Sequence, residues 1–263
     1  MTTTSTFTVD SCKIETPDGV KLHARIFKPV DVADDLVILL VHPFSLLGGS
    51  QGLLRGIAAG LADRGHTAVT FDTRGAGKSS GRASLTGFSE IRDVIAVCKW
   101  VCDNLSTRRI LLVGSSAGAP ISGSAVDQVE EVVGYVSLGY PFGWTASILF
   151  GRHHKAILQS PKPKLFVMGT QDGFTSVKQL QNKLKSAAGH VETHLLEGHG
   201  QGPNVQPVGS GVERGTSQQQ LVSCGPLSFI ATFDKISLGN QSVDISSNNA
   251  NQIRLRCHEG ISL

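Results

Sequence analysis

The sequence predicts an α/β protein whose sheet is mostly parallel and opens with an antiparallel hairpin. Three observations predict it. Two strand-like stretches flank Pro17-Asp18-Gly19, short apolar stretches then alternate with segments of helical spacing, and Leu36-Val37-Ile38-Leu39-Leu40-Val41 is apolar at every position. A run that short and that continuous, bounded by Asp35 and Pro43, suits a strand covered on both faces.

The elements follow in order. Residues Phe7 to Glu15 and Val20 to Phe27 read as the arms of the hairpin, with Pro17-Asp18-Gly19 as its turn. After the Leu36 to Val41 strand, Gln51 to Arg64 carries Leu53, Leu54, Ile57, Ala58 and Leu61 at helical spacing. His66 to Phe71 is strand-like. Phe88 to Leu105 is an amphipathic helix with Ile91, Val94, Ile95, Cys98 and Val101 on one face. Arg109 to Val113 reads as strand, Ala117 to Val126 as a helix of small residues, and Val132 to Leu138 and Lys164 to Met168 as strands. A helix over Ser176 to Ala188 and a strand over Val191 to Leu196 complete the series. In such a doubly wound layout the functional groups collect at the carboxyl ends of the strands.

The order stops near Gly198. From Gln201 to Leu263 the chain is rich in Ser, Gly, Gln and Asn, with one short apolar stretch from Leu227 to Phe233. Too little apolar surface is available there to offset the entropy of ordering, so this part is expected to be disordered. The expected organisation is a domain over residues 1–200 and a polar segment over 201–263.

Composition limits the function classes. With 263 residues, of which 40% are apolar and 17% charged, the chain can bury a sizeable core and is neither a coiled coil nor wholly disordered. Lys and Arg exceed Asp and Glu by 24 − 21 = 3 without a basic cluster, which argues against a nucleic-acid partner. No apolar run approaches the roughly 18 residues of a membrane span. Five cysteines with no C-x-x-C pair suit reduced thiols, and the first residues lack a signal-peptide pattern, so a cytoplasmic location is expected. Cys98 and Cys102, four apart, read as small buried residues on one helix face. No set of His, Cys and Asp has metal-ligand spacing, and no cofactor is implied.

The strongest chemical signal is Gly114-Ser115-Ser116-Ala117-Gly118, between a strand and a helix. In that context G-x-S-x-G makes a sharp turn whose middle residue, Ser116, projects its hydroxyl above the sheet, and only small residues at 114 and 118 leave room for it. A rival motif fails. Gly75-Ala76-Gly77-Lys78-Ser79 ends like a phosphate-binding loop, but the first glycine of that pattern would fall on Asp72.

At this point the chain resembles the α/β-hydrolase superfamily over roughly residues 7–199. Phe71-Asp72-Thr73-Arg74-Gly75-Ala76-Gly77-Lys78-Ser79 is similar to the family's D-x-R-G-x-G-x-S turn, and His42-Pro43 to its oxyanion turn, with Pro where His-Gly is commoner. Small, short-lidded members, dienelactone-hydrolase-like or serine-aminopeptidase-like, are the nearest likeness. The resemblance implies a serine nucleophile, Ser116, and a chain order of Ser, acid, His. Asp172, in Gly169-Thr170-Gln171-Asp172, matches the acid turn; its other reading is the N-cap of the next helix. His199 is placed as the base, 27 residues beyond Asp172. Here the chain departs from the family, which has two more residues before its histidine and an amphipathic helix after it. His199 is thus either the base in a shortened loop or an unrelated histidine. The resemblance also assigns the oxyanion donors to the backbone N–H groups of Phe44 and Ala117, and gives His42 the task of fixing that turn.

The segment 139–158 falls where the family places its lid. Its residues Tyr140, Phe142, Trp144, Ile148, Leu149 and Phe150 are expected to line a pocket for a small or medium acyl group, and His153-His154 to be a solvated pair. Two functions fit. One is a cytoplasmic serine hydrolase cleaving an ester, thioester or small amide of a small-molecule acyl substrate through an acyl-enzyme. The other is a catalytically silent protein of the same fold that binds a ligand or partner.

Overall fold

A computed structural model describes residues 6–32 and 35–198. One sheet of eight strands runs through it: β1 Phe7–Glu15, β2 Lys21–Pro29, β3 Leu36–Val41, β4 Thr67–Phe71, β5 Arg109–Ser115, β6 Val132–Leu138, β7 Lys164–Gly169 and β8 Val191–Leu196. Their spatial order is β1-β2-β4-β3-β5-β6-β7-β8. β1 pairs antiparallel with β2, and β2 with β4; every other pairing is parallel. The α/β-hydrolase fold, with its mostly parallel sheet and leading hairpin, is therefore present.

Five helices accompany the strands among the described residues: α1 Arg55–Ala62, α2 Phe88–Leu105, α3 Gly118–Ala125, α4 Trp144–Gln159 and α5 Val177–Leu184. On one face of the sheet Val37, Leu39 and Val41 share a core with Ile91, Val94, Val97, Cys98 and Val101 of α2. The intervening Leu36, Ile38 and Leu40 are buried as well, so the central strand is covered on both faces as its sequence requires. The edges differ. Most of β1 is exposed, and no residue of β8 is fully buried.

The crossover at β3 positions the site. From β3 the chain passes to β4 on one side, then crosses to β5 on the other, so the turns after β3 and β5 diverge above adjacent strands. Such a switch point at the carboxyl ends is where open α/β sheets place their ligands. An open cleft of about 480 Å³ lies at the opposite end, beside Leu36, Thr67 and Leu105, and has no part in this crevice.

Two local differences from expectation have physical causes. The helix expected from Gln51 begins as a short 3-10 turn, Gln51–Leu54. The Gln51 side chain is tied there by the Asp72 carboxylate at 2.8 Å and the His23 carbonyl at 3.0 Å. The segment expected to form a lid carries a 16-residue helix, α4. Its inward face is Phe150, His153, His154 and Ile157, and two histidines at core positions hide the apolar period. Residues 201–263, expected to be disordered, and Cys224 and Cys257 lie outside the described residues. Cys12, Cys98 and Cys102 are free thiols, and burial pushes the Cys98 thiol well above its ordinary value.

Candidate active site

Ser116 stands between the end of β5 and the start of α3 with φ +50°, in the left-handed region that disfavours residues other than glycine. That conformation costs about 1–2 kcal/mol. It is held by the Ser116 N–H donating to the Leu138 carbonyl at 2.8 Å and by the Ser116 carbonyl accepting from Ala119 N–H at 2.9 Å.

The two glycines of the motif are there for space. A Cβ on Gly114 would lie 2.1 Å from Ser122 Oγ and 2.5 Å from Ala119 Cα; one on Gly118 would lie 2.1 Å from the His42 carbonyl oxygen. The turn therefore packs backbone to backbone against α3 on one side and the β3 turn on the other. The Ser116 hydroxyl makes no hydrogen bond to another described residue, and the residue is buried to 8% exposure.

The turn after β3 sits against this elbow. Its Phe44 N–H and the Ala117 N–H, the two donors that the resemblance implies, have no acceptor among the described residues. His42 locks the turn. Thr73 N–H donates to His42 Nε2 at 3.0 Å, so that nitrogen is unprotonated, and Nδ1–H donates to the Pro43 carbonyl at 2.5 Å. Burial drives the His42 pKa below its ordinary value; the Pro43 bond and the Asp72 charge oppose this. Sequence reasoning assigned His42 to fixing the turn, and the geometry agrees.

Asp72 and Arg74 brace the crevice from beneath. Asp72 accepts from Gln51 N–H at 2.9 Å and from Lys78 N–H at 3.3 Å, and a Cβ on Gly77 would strike its Oδ2 at 2.2 Å. The Gly-rich loop that resembled a phosphate cradle thus wraps the chain's own carboxylate. Arg74 reaches Asp93 of α2 through Nε at 3.0 Å and Nη2 at 2.7 Å, and Asp18 of the hairpin turn through Nη1 at 2.9 Å. Burial works against the guanidinium, yet the two carboxylates raise its pKa above the ordinary value; burial pushes the Asp93 carboxyl up, and Arg74 opposes it. Asp18 and Asp93 were not singled out in the sequence. Asp93 lies at the margin of the buried side of α2, outside the stripe of Ile91, Val94, Ile95, Cys98 and Val101, so no local pattern marks it.

Asp172 lies in the turn after β7, half-buried. Its Oδ1 accepts from Phe174 N–H at 2.9 Å and Thr175 N–H at 2.8 Å. Thr175 in turn donates its hydroxyl to the Tyr140 carbonyl at 2.9 Å and accepts from Phe142 N–H at 2.8 Å, which joins this turn to the one leading into α4. The N-cap reading of Asp172 does not hold. Ser176 caps α5, in a capping box with Gln179. His199 lies outside the described residues.

The histidine pair differs from expectation. His153 and His154 are buried, not solvated, because they fall on the inward face of α4. His153 Nε2–H donates to the Thr86 carbonyl at 2.6 Å, and His154 lies 3.2 Å from the Tyr140 hydroxyl. Desolvation lowers both pKa values, that of His154 to about 4. The aromatic segment is also divided. Tyr140, Phe142 and Phe150 pack into the core, with Phe150 edge-on to Phe44 at 5.5 Å, whereas Trp144, Ile148 and Leu149 face outward.

These buried histidines give a pH prediction. His42, His153 and His154 have folded-state pKa values below the roughly 6.5 of an unfolded histidine. The unfolded chain then binds more protons in the window below that value, so stability rises with pH there. Their contribution is complete above pH ~6.5 and is lost as pH falls toward the folded values. Thermal melts should show Tm falling between pH 7 and pH 5, with a shallower slope in His154→Phe. An unchanged slope in that variant would show that His154 does not contribute.

Among the described residues no helix is long and apolar enough to cross a membrane, and no group of three or more His, Cys, Asp or Glu could hold a metal ion.

Comparison with known proteins follows the same lines. The model of a family described as X-Pro dipeptidyl-peptidase (S15 family) matches residues 18–187. An alpha-beta serine hydrolase homologue from Coxiella burnetii is 29% identical, with a TM-score of 0.62 over 73% of this chain and 88% of that one. A serine hydrolase of Xanthomonas campestris, described as lacking a lid, is 25% identical, with a TM-score of 0.61 over 73% of this chain and 85% of the other. The Pf2001 esterase of Pyrococcus furiosus, at 20% identity and TM-score 0.64 over 88% and 89%, shares the fold. An uncharacterized protein of Rickettsia prowazekii is 25% identical over 162 residues, 59% of this chain. The chain spans 66% of the length of that curated relative.

Proposed function

The chain belongs to the X-Pro dipeptidyl-peptidase (S15) family of the α/β-hydrolase superfamily, and on that premise we propose that it is a serine hydrolase cleaving an ester, thioester or small amide through an acyl-enzyme on Ser116. The observation that carries the reading is Ser116 itself. A non-glycine residue is kept at φ +50° by two flanking glycines that admit no Cβ, at the switch point of the sheet. Strain of this kind persists only where the surrounding structure over-determines it, and it clusters at active sites.

Ser116 Oγ attacks the acyl carbon while its proton passes to the imidazole of His199, and the carbonyl π electrons move onto oxygen. The oxyanion accepts from the Phe44 and Ala117 N–H groups, which have no acceptor to give up among the described residues. Collapse of this intermediate expels the leaving group, which takes the proton from His199, and water repeats the sequence to release the acid. Asp172 holds the Nδ1–H of His199. The hydrolase unit is assigned to residues 1–200, with a short lid at about 139–158 and a small or medium acyl group as substrate.

Asp172→Asn should lower turnover on p-nitrophenyl esters by about 10⁴-fold, because an amide favours the wrong imidazole tautomer. Its Oδ1 can still accept from Phe174 and Thr175, so Tm should change little. Retained turnover with a large fall in Tm would show a structural role instead. The reading as a whole is tested by labelling with a fluorophosphonate probe, which needs an activated serine.

A further inference from the structure

The outward face of α4 has no place in the proposed chemistry. Its inward residues, Phe150, His153, His154 and Ile157, account for its packing. At 3.6 residues per turn, Trp144, Ile148, Arg152 and Lys155 fall within about 80° of arc on the opposite side. Trp144 is 79% exposed and Ile148 71%. Leu149 and Phe174 extend the apolar part, and the Phe174 carbonyl lies against Gly143 at the start of the helix.

The face is divided along its length. Its first half is apolar and led by tryptophan; its second half is basic. Residues 144–159 include no Asp or Glu. Arg152 and Lys155 have no ion pair among the described residues, and the last turn of α4 holds no basic residue, so these charges do not serve to complement the helix dipole. A contiguous exposed apolar patch marks an interaction surface, and flanking cations favour an anionic partner.

We infer that the outward face of α4 docks on an anionic phospholipid surface, with Trp144 and Ile148 entering the headgroup boundary and Arg152 and Lys155 pairing with lipid phosphates. Charge complementarity selects this partner: a basic half without an ion pair among the described residues, beside an apolar half, matches an anionic bilayer, whereas a second copy of the same helix brings no acidic residue to Arg152 and Lys155. The inference does not depend on the reading of Ser116, and its test does not use activity.

The test is co-sedimentation of the full chain with vesicles of phosphatidylcholine alone or mixed with phosphatidylglycerol, read beside tryptophan emission. Binding to the anionic mixture should be about tenfold tighter or more, fall with salt, and shift the emission to the blue. Trp144→Phe should keep most of the binding and remove the shift. Arg152→Glu with Lys155→Glu should abolish the preference for phosphatidylglycerol, and Ile148→Ser should weaken binding to both vesicles. The inference is overturned by failure to bind either vesicle, or by binding that the charge reversal leaves intact. It is equally overturned if sedimentation shows a dimer that Ile148→Ser dissociates, since the face would then be occupied by a second copy.

Discussion

Ser116→Ala is expected to abolish covalent labelling by a fluorophosphonate probe and to bring ester turnover to background, a loss on the order of 10⁶-fold for a fully working triad. Ser115→Ala should keep most of both. Ser115 is the last residue of β5 and is buried in the sheet, whereas Ser116 alone occupies the turn at φ +50°. A companion variant separates strain from chemistry. Ser116→Gly also removes the hydroxyl, but glycine adopts this φ freely. Relief of about 1–2 kcal/mol should exceed the roughly 0.5–1 kcal/mol of extra unfolded-state entropy that glycine brings. Ser116→Gly should therefore melt above Ser116→Ala, with neither labelled. Labelling that survives Ser116→Ala would sink the assignment of the nucleophile.

Asp93→Ala should cost about 3–5 kcal/mol, because it leaves the buried Arg74 guanidinium facing an empty site on α2. The Arg74 and Asp93 side chains are 7% and 0% exposed, so water cannot replace the lost partner. Asp18 holds the other edge of the guanidinium but is more than a third exposed, and it cannot compensate for the buried side. For a domain of this size the loss corresponds to a fall in Tm of about 10 °C. Activity should drop as well. Asp93 also accepts the Arg74 backbone N–H at 2.8 Å, and the adjoining Thr73 N–H is what holds His42 against the turn after β3. Calorimetry beside a control at Asp93→Asn would check this. A Tm within a degree or two of the parent in Asp93→Ala would show that the buried pair does not brace the crevice.

The parts that were legible in the sequence share one property: their signals are local. The run Leu36 to Val41 is apolar at each position because both faces of β3 are covered, and no distant residue is needed to infer that. Gly114-Ser115-Ser116-Ala117-Gly118 announces a sharp turn because the glycines answer close backbone contacts within one strand–turn–helix unit. The hairpin and α2 were readable from turn chemistry and a clean helical period. The helix α4 was missed for a definite reason. His153 and His154 count as polar in any periodicity, yet desolvation keeps them neutral and they pack as rings against Phe88, Phe142 and Tyr140.

The sequence by itself determined the fold class, the order of the strands along the chain, the position of Ser116 and the turn that carries Asp172. Tertiary structure alone decided the rest. It set β3 between β4 and β5, which creates the crevice, and it chose Ser176 over Asp172 as the cap of α5. It joined Arg74 to Asp18 and Asp93, residues 56 and 19 positions away, and it turned the loop at Gly77 around Asp72 instead of a phosphate. The physical reason is the reach of the interactions. Backbone sterics and hydrophobic periodicity act over a few residues and leave a mark in the local pattern. A buried charge is stabilised only by whichever partner the packed sheet and helices bring within hydrogen-bond distance, and that partner is defined once the chain has folded.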